Sequence, residues 1–211
     1  MLYKANRTRL GFDSVFKGSF NMPGYLIPGH QDHRYGPLAT IVESILRPGT
    51  WIRFHPHQND EIISYVPEGV MRHNDETVGE LVADNQHLMV MNAGREFWHE
   101  ERTLPSDPPL RMLQIFVRAH TLHLEPHIQH GLLERPHPGQ WRHLFGPEGW
   151  SAYFYVFTGN VEVGDQRFAE AESGLLVDET GSAVKALAPT LLVVFLINPK
   201  ATVTRSGTIG R

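Results

Sequence analysis

Gly-Thr-Trp-Ile-Arg-Phe-His-Pro-His-Gln-Asn-Asp-Glu at 49–61 and Asn-Ala-Gly-Arg-Glu-Phe-Trp-His-Glu-Glu at 92–101 are the two stretches around which the rest of the chain is read. Side chains of an extended strand alternate between its faces. Trp51, Arg53, His55 and His57 therefore share one face, and Phe97, His99 and Glu101 share a face on the later strand. If the two strands oppose each other inside a barrel, three imidazoles and a carboxylate converge on one metal ion. Imidazole nitrogen suits zinc, copper, iron and nickel, while a carboxylate oxygen tolerates harder ions such as manganese. Three nitrogens and one oxygen leave positions open on a six-coordinate ion, which marks a reactive site rather than a closed structural one. One His-x-His among 13 histidines can arise by chance. The Gly before it, the Glu after it and the second His-x-Glu turn it into a ligand pattern.

The surrounding chain reads as all-β. Its 211 residues suffice for one large domain or two small lobes, and 19 Gly with 15 Pro cut the apolar runs short. Such spacing predicts many short strands in a barrel or sandwich. Strands are expected at 39–46, 51–57, 61–66 and 88–91, and in the second half at 153–157, 161–163, 174–177 and 191–197. Residues 1–37 read as an irregular arm, with Lys4, Arg7 and Arg9 on a solvated face, and 72–79 as a polar loop. His120, His123, His127, His130, His137 and His143 are scattered among prolines and read as an exposed connection. The resulting division is 1–118, a connecting segment 119–150, and a second lobe 151–211.

Composition narrows the function. There is no cysteine, so thiolate metal sites, disulfides and cysteine nucleophiles are excluded, and a reducing cytoplasm is the expected setting. A net charge of −4 argues against a nucleic-acid surface. The longest late apolar run, 191–197, is too short to span a bilayer, and no signal-peptide pattern opens the chain.

The motif Gly-x5-His-x-His-x3-Glu resembles the first motif of the cupin superfamily. From His55-Pro56-His57 through Glu61 to Tyr65, Glu68-Gly69, Ala93-Gly94-Arg95 and His99-Glu100-Glu101, the chain is similar to the pirins, most closely over 38–118. Arg111–Val117 resembles the pirin strand that follows the site. The resemblance implies double-stranded β-helix barrels in a two-lobed bicupin, with metal in the N-terminal barrel only. It implies His55, His57, His99 and Glu101 as ligands of one divalent transition metal, with Fe(II) the foremost candidate beside Mn, Ni, Cu and Zn. Most cupins instead use the first-motif glutamate, here Glu61. The Gly94-to-His99 spacing follows the pirin form, so Glu101 is preferred, and Glu61 is expected to orient an imidazole through its other ring nitrogen.

Pirins are linked to quercetin 2,3-dioxygenase activity, so the resemblance implies a flavonol-like aromatic substrate and O2. Glu101 or Glu61 would accept the substrate proton, and Trp51, Tyr65, Phe97 and Phe116 would wall the pocket. Gln58, Glu96 and Trp98 depart from the family pattern and would reshape the pocket rim. Two other classes stay open: a non-catalytic metal-binding regulator that acts through a protein partner, and a cupin isomerase or small-molecule binder.

Overall fold

The computed structural model describes residues 1–5, 10–11, 16–133, 148–178 and 182–209. Arg7, Arg9, His137 and His143 lie outside the described residues. Strand β1 (Leu2–Ala5) opens the chain. Next come β2 (Leu10–Gly11), β3 (Phe16–Asn21), β4 (Leu38–Leu46), β5 (Trp51–His57), β6 (Asp60–Glu68), β7 (Met71–Asp75) and β8 (Gly79–Ala83). They continue with β9 (His87–Asn92), β10 (Phe97–Arg102), β11 (Leu110–Arg118) and β12 (His127–Leu132). The chain closes with β13 (Ser151–Thr158), β14 (Asn160–Val163), β15 (Gln166–Ala169), β16 (Ser173–Leu176), β17 (Val184–Ala186) and β18 (Leu191–Ile197). A short 3-10 helix at Pro23–Leu26 interrupts them, and the fold is all-β in class.

The chain divides into two units. The smaller comprises Met1–Thr8, Asn21–Pro37 and Trp141–Ala201; the larger comprises Arg9–Phe20, Leu38–Gln140 and Thr202–Arg211. Each unit draws on separated segments, whereas the division expected from sequence is contiguous.

In the larger unit a seven-stranded sheet, in the order β12-β9-β6-β11-β4-β3-β2, accompanies a four-stranded sheet in the order β5-β10-β7-β8. Their inward residues form one core, which includes Val42, Leu46, Ile62, Val66, Met71, Met91, Phe97, Met112 and Phe116. Strand β4 lies between β11 and β3 and is buried along almost its whole length, as its β-branched run predicts. Strand β6 alternates: Asp60, Ile62, Ser64 and Val66 are buried, while Glu61, Ile63 and Tyr65 are half-buried. At the turn after it, Gly69 has φ +89°, and a Cβ there would stand 2.5 Å from the Pro109 carbonyl oxygen. Only glycine fits that turn.

The smaller unit contains the sheets β1-β16-β13-β18 and β15-β14-β17. Phe154, Val156, Val161, Val163 and Phe168 fill its core, with the two phenyl rings edge to face at 4.8 Å.

Three readings of the sequence are corrected. Residues 72–79 are not a loop, because β7 and β8 pair there as a hairpin from Met71↔Ala83 to Asp75↔Gly79. The polar residues of β7 have partners inside the sandwich, so polarity there signals a site. The arm is not irregular throughout, since β1 pairs with β16. The connecting segment contains β12, an edge strand on β9, so His127 and His130 belong to a sheet.

Candidate metal centre

Strand β10 runs between β5 and β7. On the β5 side His99 sits directly across from His55, and Phe97 across from His57. The imidazole centroids are 4.4 Å apart for His55 and His99, 5.1 Å for His57 and His99, and 5.2 Å for His55 and His57. Each of the three rings offers a nitrogen within 4.8 Å of the other two. Two metal–nitrogen bonds of about 2.1 Å allow a separation of up to about 4.2 Å. The spacing of the cluster is thus of the size that one shared ion requires. On the β7 side the ligand atoms of His73, His99 and Glu101, all buried, also lie within 4.8 Å of one another, so His99 belongs to both groups.

The other ring nitrogens settle which atoms are free. His55 Nδ1 lies 2.8 Å from the Arg53 carbonyl oxygen, which can only accept, so Nδ1 carries the proton and Nε2 keeps its lone pair. His57 Nδ1 lies 3.3 Å from the Asp60 carboxylate, with the same consequence. His99 Nδ1 is 3.1 Å from His73 Nδ1, and His99 Nε2 is buried with no hydrogen-bond partner among the described residues. A buried imidazole nitrogen left without a partner is costly in a purely structural role. As one of three converging nitrogens, each ring held at its far side, it is what a metal ligand requires.

Electrostatics agree. Burial, reinforced by His55, His73 and His57, pushes the His99 pKa down to about 2, and burial lowers His55 and His73 as well. The rings are thus neutral, as ligation demands. Burial raises the Glu101 carboxyl to about 7 despite a 2.8 Å hydrogen bond from Gln114 Nε2, so a cation beside it would relieve the desolvation of its charged form. The residues present fit a divalent metal.

Residues 19–117 match the family model for Pirin. Over that stretch the chain is similar to the pirins. Quercetin 2,3-dioxygenase of Escherichia coli K12 is 26% identical over 99 residues, 47% of this chain and 42% of that protein. A pirin-like protein of Caulobacter vibrioides is 31% identical over 103 residues, 48% of this chain and 42% of that one. The chain spans between 41% and 58% of the length of the curated relatives it matches. In fold it resembles the bacterial pirin YhhW of Escherichia coli, solved in complex with nickel(II). That likeness has TM-score 0.77 and 17% identity, over 93% of this chain and 99% of that one.

Within the matched stretch the expected ligands fall out unevenly. His55, His57 and His99 come together, while Glu101 groups with His99 and His73 rather than with His55 and His57. A register shift between His99 and Glu101 in the β10–β5 pairing accompanies this offset. No hydrogen bond joins Glu61 to an imidazole of the cluster. Asn59 takes φ +55° between β5 and β6 and breaks the regular alternation, so Asp60 meets His57 while the Glu61 carboxylate faces the Asn92 amide at 3.5 Å.

The pocket residues divide too. Phe97 and Phe116 are interior, the first stacked 6.1 Å from His73 and the second 6.0 Å from His57. Tyr65 lies on the half-buried outer face of β6, opposite to the core residues Ile62 and Val66, and so does not wall a pocket with them. Trp51 is 57% exposed, donates its indole N–H to Glu100 at 2.8 Å and lies under the Arg53 guanidinium, so it is a surface group. Trp98 is exposed on β10. Gln58 pairs its backbone with Thr208 and helps line a depression of about 370 Å³ with Arg205, Ser206, Gly207 and Thr208.

Sequence reading missed His73, Asp75, Asp60 and Gln114. The parity of Met71, His73 and Asp75, and of Met112, Gln114 and Phe116, was the available signal.

Proposed function

We propose that the chain is a metal-dependent dioxygenase of the pirin type, opening a flavonol-like aromatic with O2 in the cytoplasm. His55, His57, His99 and Glu101 hold one divalent ion, with iron the first choice and manganese, nickel, copper and zinc the alternatives. The observation that carries this reading is the convergence of three imidazoles, one of them with a buried nitrogen that has no hydrogen-bond partner among the described residues. The substrate class is supported by the relatives named quercetin 2,3-dioxygenase.

A redox-active ion, when bound, supplies Lewis acidity toward a substrate hydroxyl and electron transfer toward dioxygen. The protein's part is to position and to exclude water. Asp60 and the Arg53 carbonyl hold two of the rings by their Nδ1 atoms. Gln114 fixes Glu101, the carboxylate assigned to take up the substrate proton, with Glu61 the second candidate. Phe97 and Phe116 keep the interior side of the cluster dry.

Oxygen uptake with quercetin, by protein reconstituted separately with iron, manganese, nickel or copper, tests the proposal. Uptake with at least one ion, lost in His57→Ala, is the expected result, and Glu101→Gln should abolish metal binding. Stoichiometric metal without uptake would overturn quercetin as substrate. It would favour the second reading, a metal-binding regulator that acts through a protein partner. Trp51, Phe54 and Trp98, all exposed on the ligand-bearing strands β5 and β10, speak for that reading.

A further inference from the structure

Behind His99 lies a second imidazole that the ligand set does not use. His73 is fully buried, and its Nε2 stands 2.9 Å from Asp75 Oδ2. Its Nδ1 faces His99 Nδ1 at 3.1 Å. Asp75 is buried as well, and its other oxygen, Oδ1, accepts the backbone N–H groups of Thr77 at 2.6 Å and Val78 at 2.9 Å. A continuous chain of hydrogen bonds thus runs from the β7–β8 turn through Asp75 and His73 to the imidazole that β10 presents to the cluster.

Proton counting gives this chain a direction. A carboxylate accepts only, so the His73 proton sits on Nε2. A neutral ring has one N–H, which leaves His73 Nδ1 as an acceptor. The bond to His99 then requires the proton on His99 Nδ1, and His99 Nε2 is left with a bare lone pair. We propose that Asp75 and His73 are positioning residues that lock His99 in the Nδ1–H tautomer, so that its Nε2 is ready to ligate. The inference rests on the reading of His99 as a metal ligand. The same device recurs wherever a ligating histidine gives its other N–H to a fixed partner, but here the partner is itself an imidazole whose tautomer is set one step further back.

The geometry makes the isosteric change Asp75→Asn informative. Thr77 and Val78 still require an acceptor, so the amide oxygen stays with them and the amide NH2 turns to His73. An NH2 donates, so His73 Nε2 must accept and its proton moves to Nδ1. His73 then donates to His99 Nδ1, and the His99 proton is driven onto Nε2, the atom needed by the metal. One oxygen-to-NH exchange, two hydrogen bonds away from His99, inverts both rings.

Long-range proton–nitrogen NMR correlation of metal-free protein labelled at histidine nitrogen reads the tautomers directly. The expected wild-type result is Nε2–H at His73 and Nδ1–H at His99, with both reversed in Asp75→Asn. Titration with nickel or manganese should show affinity weakened by about 10- to 100-fold in the variant, while circular dichroism reports an unchanged fold. Wild-type protein with the opposite tautomers overturns the proposal, and so does a folded variant with unaltered tautomers. If the variant fails to fold, the wild-type spectrum alone decides. Wild-type protein that shows the expected tautomers yet binds no metal would overturn the ligand reading and leave the relay in place.

Discussion

Between the sheets of the smaller unit, β13 and β14 turn Phe154, Val156, Val161 and Val163 toward Phe168; in the larger unit, β5, β7 and β10 bring together His55, His57, His73 and His99. Both units follow the alternation of a two-sheet sandwich. The contents differ because the polar groups around the cluster have partners for all but His99 Nε2: the Arg53 carbonyl, Asp60, Asp75 and Gln114 are in place. Period-two patterning therefore decides which residues go inside, while local partners decide whether an inside residue can be polar. One unit spends its interior on cohesion and the other on chemistry.

The sharpest way to break that contrast is to damage the apolar interior alone. Phe168→Ala should cost about 3–5 kcal/mol in urea unfolding while leaving metal affinity within about twofold of wild type. A matching loss of affinity would show that the two interiors are not separate. Metal should act in the opposite sense. A free ion at 100 times its Kd stabilises its binding unit by about 2.7 kcal/mol. Amide hydrogen exchange should accordingly slow in β5 and β10 and stay unchanged in β13 and β18.

Smaller effects sharpen the comparison within the larger unit. Gly94 has φ +50°, and a Cβ there would stand 2.0 Å from the Leu124 carbonyl oxygen, close to the approach to β10. Gly94→Ala should cost about 1–3 kcal/mol in thermal unfolding, and metal should recover part of it. Glu61→Gln is the smallest change. Its carboxylate meets Asn92 and no member of the cluster, so metal affinity should move by less than about 0.5 kcal/mol, roughly a factor of two. A loss of tenfold or more in calorimetric titration would return Glu61 to the site.

The all-β class and the meeting of His55, His57 and His99 were legible because both follow from alternation along uninterrupted strands. What escaped lies where alternation is reset or masked. Asn59 takes a left-handed conformation between His57 and Glu61, so face-counting across it selects the wrong carboxylate. The shift between His99 and Glu101 likewise displaces the fourth expected ligand toward His73. His73 and Asp75 sit in a segment so polar that it reads as a loop, since their burial depends on pairing with each other and with β10. Gln114 reaches Glu101 from β11, a strand of the other sheet, a contact that no local pattern announces.

Asp60 has one more partner. The oxygen that faces His57 also accepts the backbone N–H of Ile209 at 3.1 Å, and a Cβ on Gly207 would stand 2.4 Å from the other oxygen. Asp60 and Ile209 are 149 residues apart, which at about 5–20 residues per second is roughly 7–30 s of translation. Until that length of chain has been made, the carboxylate behind His57 lacks one of the hydrogen bonds that hold it.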